Sequence, residues 1–215
     1  MNRKTAMKLF GLLGLLMLLS CGYADRHRNN SSCEQVLVDS LEVRVQDSLF
    51  SNVHYSRSQV LDALTQAQDS QVYYRLLALY GKTFFVSSDF DSILYYNRRV
   101  KEFFRNASQS SESLQSPQWN DVLSDVYNIE GNVWMQLNRP DSAITDYKKA
   151  YEYRLKGKKL HLLPDICINT ADAYLHRSDL AHTASYYRRA LFLCDSLRLS
   201  EHTKFPVYYL SLIHI

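Results

Sequence analysis

Between Tyr127 and Ala150 the chain reads YNIEGNVWMQLNRPDSAITDYKKA. Small and aromatic residues alternate at helical spacing: Gly131, then Trp134, and beyond a break Ala143, Tyr147 and Ala150. A small residue opposite an aromatic one lets two helix axes approach closely, so the pattern predicts two short antiparallel helices packed as a hairpin. Asn138, Arg139, Pro140 and Asp141 make the break, Asn tolerating a left-handed helix end and Pro suiting a first helical turn. The pattern recurs. Forty residues on, Ala171, Tyr174, Thr183, Tyr187 and Ala190 fill the same slots; fifty residues back, Leu77, Gly81, Phe84, Ile93 and Val100 fill them, with Asn97 where an aromatic belongs. One hairpin cannot bury its own apolar face, and about three stacked units make a stable array.

The run of Tyr127, Gly131, Trp134, Ala143, Tyr147 and Ala150 resembles the tetratricopeptide repeat, with Glu130 standing where that family usually carries Leu. The resemblance covers roughly residues 70 to 209 and implies an all-α, TPR-like α-solenoid of antiparallel hairpins: about three repeats over 69–209, preceded by an irregular hairpin over 34–68 in which Leu37, Leu41, Val45 and Leu49 lie four apart. The intervals exceed the family's usual period of about 34 residues. The polar stretch from Ala107 to Pro117 is expected to absorb part of the excess. The 16 Tyr and 9 Phe fit an array whose inter-hairpin gaps are filled by aromatics, and sugar or base stacking is the competing reading of those rings.

In such arrays the first helix of each repeat lines a groove that holds an extended peptide or a partner helix. Counting from the glycine slots, the resemblance implies groove residues Arg75 and Lys82 in the first repeat, Asn128, Asn132 and Gln136 in the second, and Asp165, Asp172 and His176 in the third. Asn side chains there can hydrogen-bond a peptide backbone without reading its sequence, and the change from basic to acidic residues can set its direction.

The chain opens as a secretion signal over residues 1–20. Arg3, Lys4 and Lys8 precede an apolar run from Leu9 to Leu19, too short to span a bilayer comfortably. Leu18, Leu19, Ser20 and Cys21 resemble a bacterial lipobox, which implies cleavage before Cys21, lipid on its thiol and a membrane attachment. Residues 21–33 read as a polar tether. The lack of an acidic cluster after Cys21 points, by resemblance to Bacteroidetes lipoproteins, to the periplasmic side of a Gram-negative envelope.

The full chain carries 25 Lys and Arg against 22 Asp and Glu, and losing Arg3, Lys4 and Lys8 brings the two into balance. No basic footprint for nucleic acid is left, and the remaining basic pairs read as solvated helix faces. Cys33, Cys167 and Cys194 remain after the anchor. The last two are either buried small hydrophobes or a disulfide pair, and no spacing indicates a metal. The tripeptides that begin Asp39-Ser40, Asp47-Ser48, Asp91-Ser92, Asp141-Ser142 and Asp195-Ser196 resemble O-glycosylation acceptors of exported Bacteroidetes proteins. Helix capping by Asp91 and Asp141 explains those two better.

No Gly-x-Ser-x-Gly, His-Glu-x-x-His or Gly-rich phosphate loop occurs, so a non-enzymatic chain without a cofactor is expected. Residues 210–215, LSLIHI, match no repeat slot and are what CTG TCT CTT ATA CAC ATC encodes, a string similar to a sequencing-adapter end. The expectation is an N-terminal fragment whose natural sequence departs after Tyr209, leaving FPVYY from Phe205 as half a hairpin. The whole resembles the sensory half of Bacteroidetes-type signalling proteins. The alternatives are a stand-alone envelope assembly scaffold and a glycan-binding lipoprotein, for whose aromatic-bearing insertions only Trp119, near the loop between repeats one and two, gives a hint.

Overall fold

The computed structural model describes residues 35–45, 51–107 and 116–200. The expectations for the signal, Cys21, the tether with Cys33, Leu49, the Asp47-Ser48 pair, most of the polar stretch before Pro117 and everything after Ser200 lie outside the described residues. The described residues are helices and the turns between them, with no strand among them, and the chain divides into two compact units, one up to Leu79 and one from Tyr80.

The first unit holds α1 (35–45), α2 (Val53–Gln66) and most of α3 (Ser70–Lys82). Helix α1 buries Val38, Leu41 and Val45, whereas Leu37 stays partly exposed; the buried stripe therefore starts one residue later than the four-residue spacing of leucines implies. Asn52 caps α2 by accepting from the Tyr55 amide at 3.2 Å, and Asp69 caps α3 by accepting from Gln71 and Val72 at 2.7 and 3.1 Å. The division falls inside α3, whereas the repeat pattern begins at residue 69.

The second unit runs from the end of α3 through α4 (Phe90–Ala107), α5 (Pro117–Gln136), α6 (Pro140–Lys156), a 3-10 turn at Leu160–Leu162, α7 (Leu163–His176) and α8 (Leu180–Ser196). Consecutive helices pack on one another, α5 on α6 and α7 on α8 most extensively, then α6 on α7 and α4 on α5. This is the expected all-α, solenoid-like stack of adjacent pairs.

The turn joining the two helices of each hairpin is the same three times. Ser88, Asn138 and Ser178 have φ of 54°, 55° and 58°, the left-handed conformation expected at Asn138. In each, the next residue's amide returns to a carbonyl five positions back: Asp89 to Phe84 at 3.2 Å, Arg139 to Trp134 at 2.8 Å and Asp179 to Tyr174 at 3.0 Å. These bonds satisfy carbonyls that the ending helix would otherwise leave open.

Capping differs from expectation. Asp89 accepts from the amide of Ser92 at 3.1 Å and Asp179 from that of His182 at 3.2 Å. Both sit two residues before the Asp91 and Asp141 slots, because a carboxylate reaches the free amides from just outside the helix. Asp141 lies inside the first turn, where no side chain caps α6, and instead pairs with Arg177 at 2.8 Å.

Gly131 is needed for the approach of α6. A Cβ built there would lie 2.3 Å from Cε1 of Tyr147, whose ring fills the space. At Gly81 the nearest neighbour of such a Cβ is Cβ of Tyr96 at 3.1 Å, since Asn97 takes the slot of Tyr147 and leaves more room. Ile144, Tyr147 and Ala150 of α6 then form one core with Ile166, Ala173 and Tyr174 of α7.

Candidate functional site

The first helices α5 and α7 touch directly. Asn128, Asn132 and Gln136 recur every four residues on α5, half-buried, half-buried and exposed. Asp165, Asp172 and His176 lie on α7, exposed, half-buried and exposed. A residue missed by the slot counting, Asn169, joins the two rows: its Nδ2 donates to Oδ1 of Asn128 at 3.1 Å. Asn132 and Asp172 are held from beneath. The Tyr147 hydroxyl donates to Oδ1 of Asn132 at 2.7 Å, and Tyr187 donates to Oδ1 of Asp172. Both tyrosines are buried, and desolvation raises both phenol pKa values; the Asp172 charge raises them further, for Tyr187 together with the bond it accepts.

Asp165 is open to solvent, yet desolvation raises its carboxyl above the ordinary carboxylate value, against the opposing pull of His161 and Arg154. Together, α5 and α7 present amide donors and acceptors at four-residue intervals beside two carboxylates, an arrangement suited to hydrogen-bonding an extended backbone and holding a cationic group near Asp165 and Asp172.

Two expected groove residues stand elsewhere. Arg75, in the first unit, is only 5% exposed. Its guanidinium is engaged with Gln35, with Asp39 at 2.7 Å and with Glu42 at 3.1 Å, all on α1. It is a structural cation and offers no open charge to a ligand, because α1 covers it. Lys82 ends α3, half-buried, on the other side of the unit division from Arg75.

Other polar residues that pattern reading left unassigned are structural. Glu130 is buried against Nζ of Lys101 at 2.7 and 2.6 Å, tying α5 to α4. Arg154 is buried between Asp121, at 2.7 Å, and Asp125. Asp121 also accepts from the amides of Lys158 and Lys159 at 2.9 and 3.2 Å. A Cβ at Gly157 would lie 2.1 Å from that carboxylate, so glycine lets the chain close over it.

Trp119, the handle for a sugar-binding reading, is 2% exposed and packs with Phe103 and Phe104 at 5.7 and 6.2 Å. Its faces are not open to a glycan. Cys167 and Cys194 form no disulfide and are both buried, in one apolar cluster with Ala190, and burial pushes the Cys167 thiol up to about 12. Among the described residues no group of side chains could hold a metal ion, and no helix is long and apolar enough to cross a membrane.

No family model and no curated protein matches the chain. Among solved structures it is similar to BtubC (BKLC) from P. vanneervenii, with a TM-score of 0.56 and 17% identity over 83% of this chain and 71% of that one. At that identity the likeness concerns the helical fold.

Proposed function

We propose that this chain is a lipid-anchored binding module, attached through Cys21 at the periplasmic side of a Gram-negative envelope, whose α5–α7 face holds an extended protein segment. In this reading it is the sensory or scaffolding part of a signal-transduction protein of tetratricopeptide type. The observation that carries the binding function is the pairing of surface and support: Asn132 and Asp172, forty residues apart, are each held by a buried tyrosine hydroxyl, and Asn128 is held by Asn169. Side chains fixed before a ligand arrives lose little entropy on binding it. The lipobox-like run before Cys21 supports the anchor, and the repeat pattern supports a non-enzymatic binding role.

The test is selection of peptides from a random displayed library against the full chain, followed by affinity measurement with variants. Asn128→Ala with Asn169→Ala should weaken selected peptides by about tenfold or more, since each lost hydrogen bond is worth roughly 1 kcal/mol. Selected peptides should carry Lys or Arg where the chain passes Asp165 and Asp172. Peptides that bind the double variant equally well would overturn the assignment of this face.

A further inference from the structure

The second helices of the three hairpins share a basic pair in one slot: Arg98 and Arg99 on α4, Lys148 and Lys149 on α6, Arg188 and Arg189 on α8. All six side chains are at least partly open to solvent, and the second of each pair lies over a tyrosine ring, Arg99 over Tyr95, Lys149 over Tyr127 and Arg189 over Tyr151. In α4 and α6 each pair is balanced on its own face. Glu102 follows the first pair by four and three residues, Glu152 follows the second at the same slot, and Asp146 also pairs with Lys149 at 3.3 Å. Carboxylates three or four residues from a cation offset its charge.

Helix α8 breaks this balance. Tyr186 stands in the slot of Asp146, and Phe192, 69% exposed, stands in the glutamate slot. Ala181, Ser185, Arg188 and Phe192, spaced four, three and four residues apart, fall on one face with Arg189 beside them. Asp195 is the one carboxylate within α8 itself. An open phenyl ring beside two guanidiniums that have no carboxylate three or four residues away on α8 is a poor face for water and a good one for a bilayer interface. There the ring sits among headgroups and acyl ends while the arginines reach anionic phosphates.

We propose that the outer face of α8, through Arg188, Arg189 and Phe192, docks on an anionic lipid surface. The inference is independent of the α5–α7 peptide face. The docking is weak alone, because two cations and one ring contribute little, and it orients a chain held at the membrane by other means. An acidic polypeptide would satisfy the arginines but has no general use for the exposed ring, so lipid is the better fit.

The test places an environment-sensitive fluorescent amino acid at Ser185, and in a separate protein at Thr145, the same slot of α6. The full chain is held by a histidine tag and a nickel-chelating lipid on vesicles of phosphatidylcholine, with or without phosphatidylglycerol, so the outcome does not depend on Cys21. The Ser185 probe should shift to the blue only with phosphatidylglycerol and return in high salt, while the Thr145 probe stays near its aqueous emission. Arg188→Gln with Arg189→Gln should lower the docked-to-free ratio about thirtyfold, and Phe192→Ser should lower it as well. Three results would overturn the proposal: equal Ser185 emission on both vesicles, equal shifts at Ser185 and Thr145, or a full shift on adding soluble polyglutamate without vesicles, which would mark an acidic protein partner instead.

Discussion

Tyr147 donates its hydroxyl hydrogen to Asn132 at 2.7 Å, and in the next hairpin Tyr187 makes the same bond to Asp172. The second helix of these two hairpins thereby fixes a side chain that the first helix offers at the surface. Core and surface are joined by one phenol.

Replacing either tyrosine by Phe removes the bond and keeps the ring. Tyr147→Phe should lower stability by about 1 kcal/mol, and Tyr187→Phe, which loses a bond to a carboxylate, by about 1.5–3 kcal/mol. Urea denaturation of both variants checks the order. Both should also weaken a peptide held on the α5–α7 face by more than their effect on folding explains.

Gly131→Ala is predicted to be much costlier than Gly81→Ala, since the added carbon would meet the Tyr147 ring at 2.3 Å but Tyr96 Cβ only at 3.1 Å. Overpacking of the first kind costs about 1–3 kcal/mol. Gly131→Ala combined with Tyr147→Leu should recover part of that loss, and equal losses for the two single variants would contradict the packing account.

The Lys101–Glu130 pair sets a pH dependence. Desolvation raises the Glu130 carboxyl above its ordinary 4.5, outweighing the attraction of Lys101. A raised folded-state value means that the folded chain holds the proton more tightly than the unfolded one. This contribution is complete below 4.5 and is lost as pH rises through the folded-state value. Lys101→Met leaves the carboxylate buried without its partner and should cost about 3–5 kcal/mol at neutral pH. The loss should shrink in mild acid, where the carboxyl takes up a proton. Lys101→Met with Glu130→Leu should be neutral or stabilising.

Cys167 and Cys194 are predicted to resist alkylation in the native chain, because burial raises the Cys167 thiol to about 12 and hides both sulfurs. Mass spectrometry after brief iodoacetamide treatment should find them modified only where denaturant opens the array.

Much of the fold was legible because its cues are local. The small and aromatic slots at Gly131, Trp134 and Tyr147 and the left-handed Asn138 depend on neighbours within one hairpin. Residues whose roles depend on distant segments were not. Arg75 looks like a groove cation until α1 brings Asp39 and Glu42 onto it, and Trp119 looks like a loop aromatic until Phe103 and Phe104 close over it. The aspartates at 91 and 141 share a slot, and that shared slot hid the caps at Asp89 and Asp179, since repeat two carries Arg139 there. Asn169 was missed because the glycine-slot counting stepped past it, although its four-residue spacing from Asp165 was visible.

The central claim is that the amides of α5 and α7 bind an extended peptide, and side-chain amide NMR tests it most directly. On adding a selected peptide, the NH2 resonances of Asn128, Asn132, Gln136 and Asn169 should move together. Those of Asn97 and Asn120, committed to the carbonyls of Val126 and Ser116, should stay in place. Shifts confined to residues off this face, with these four amides unmoved, would contradict the account.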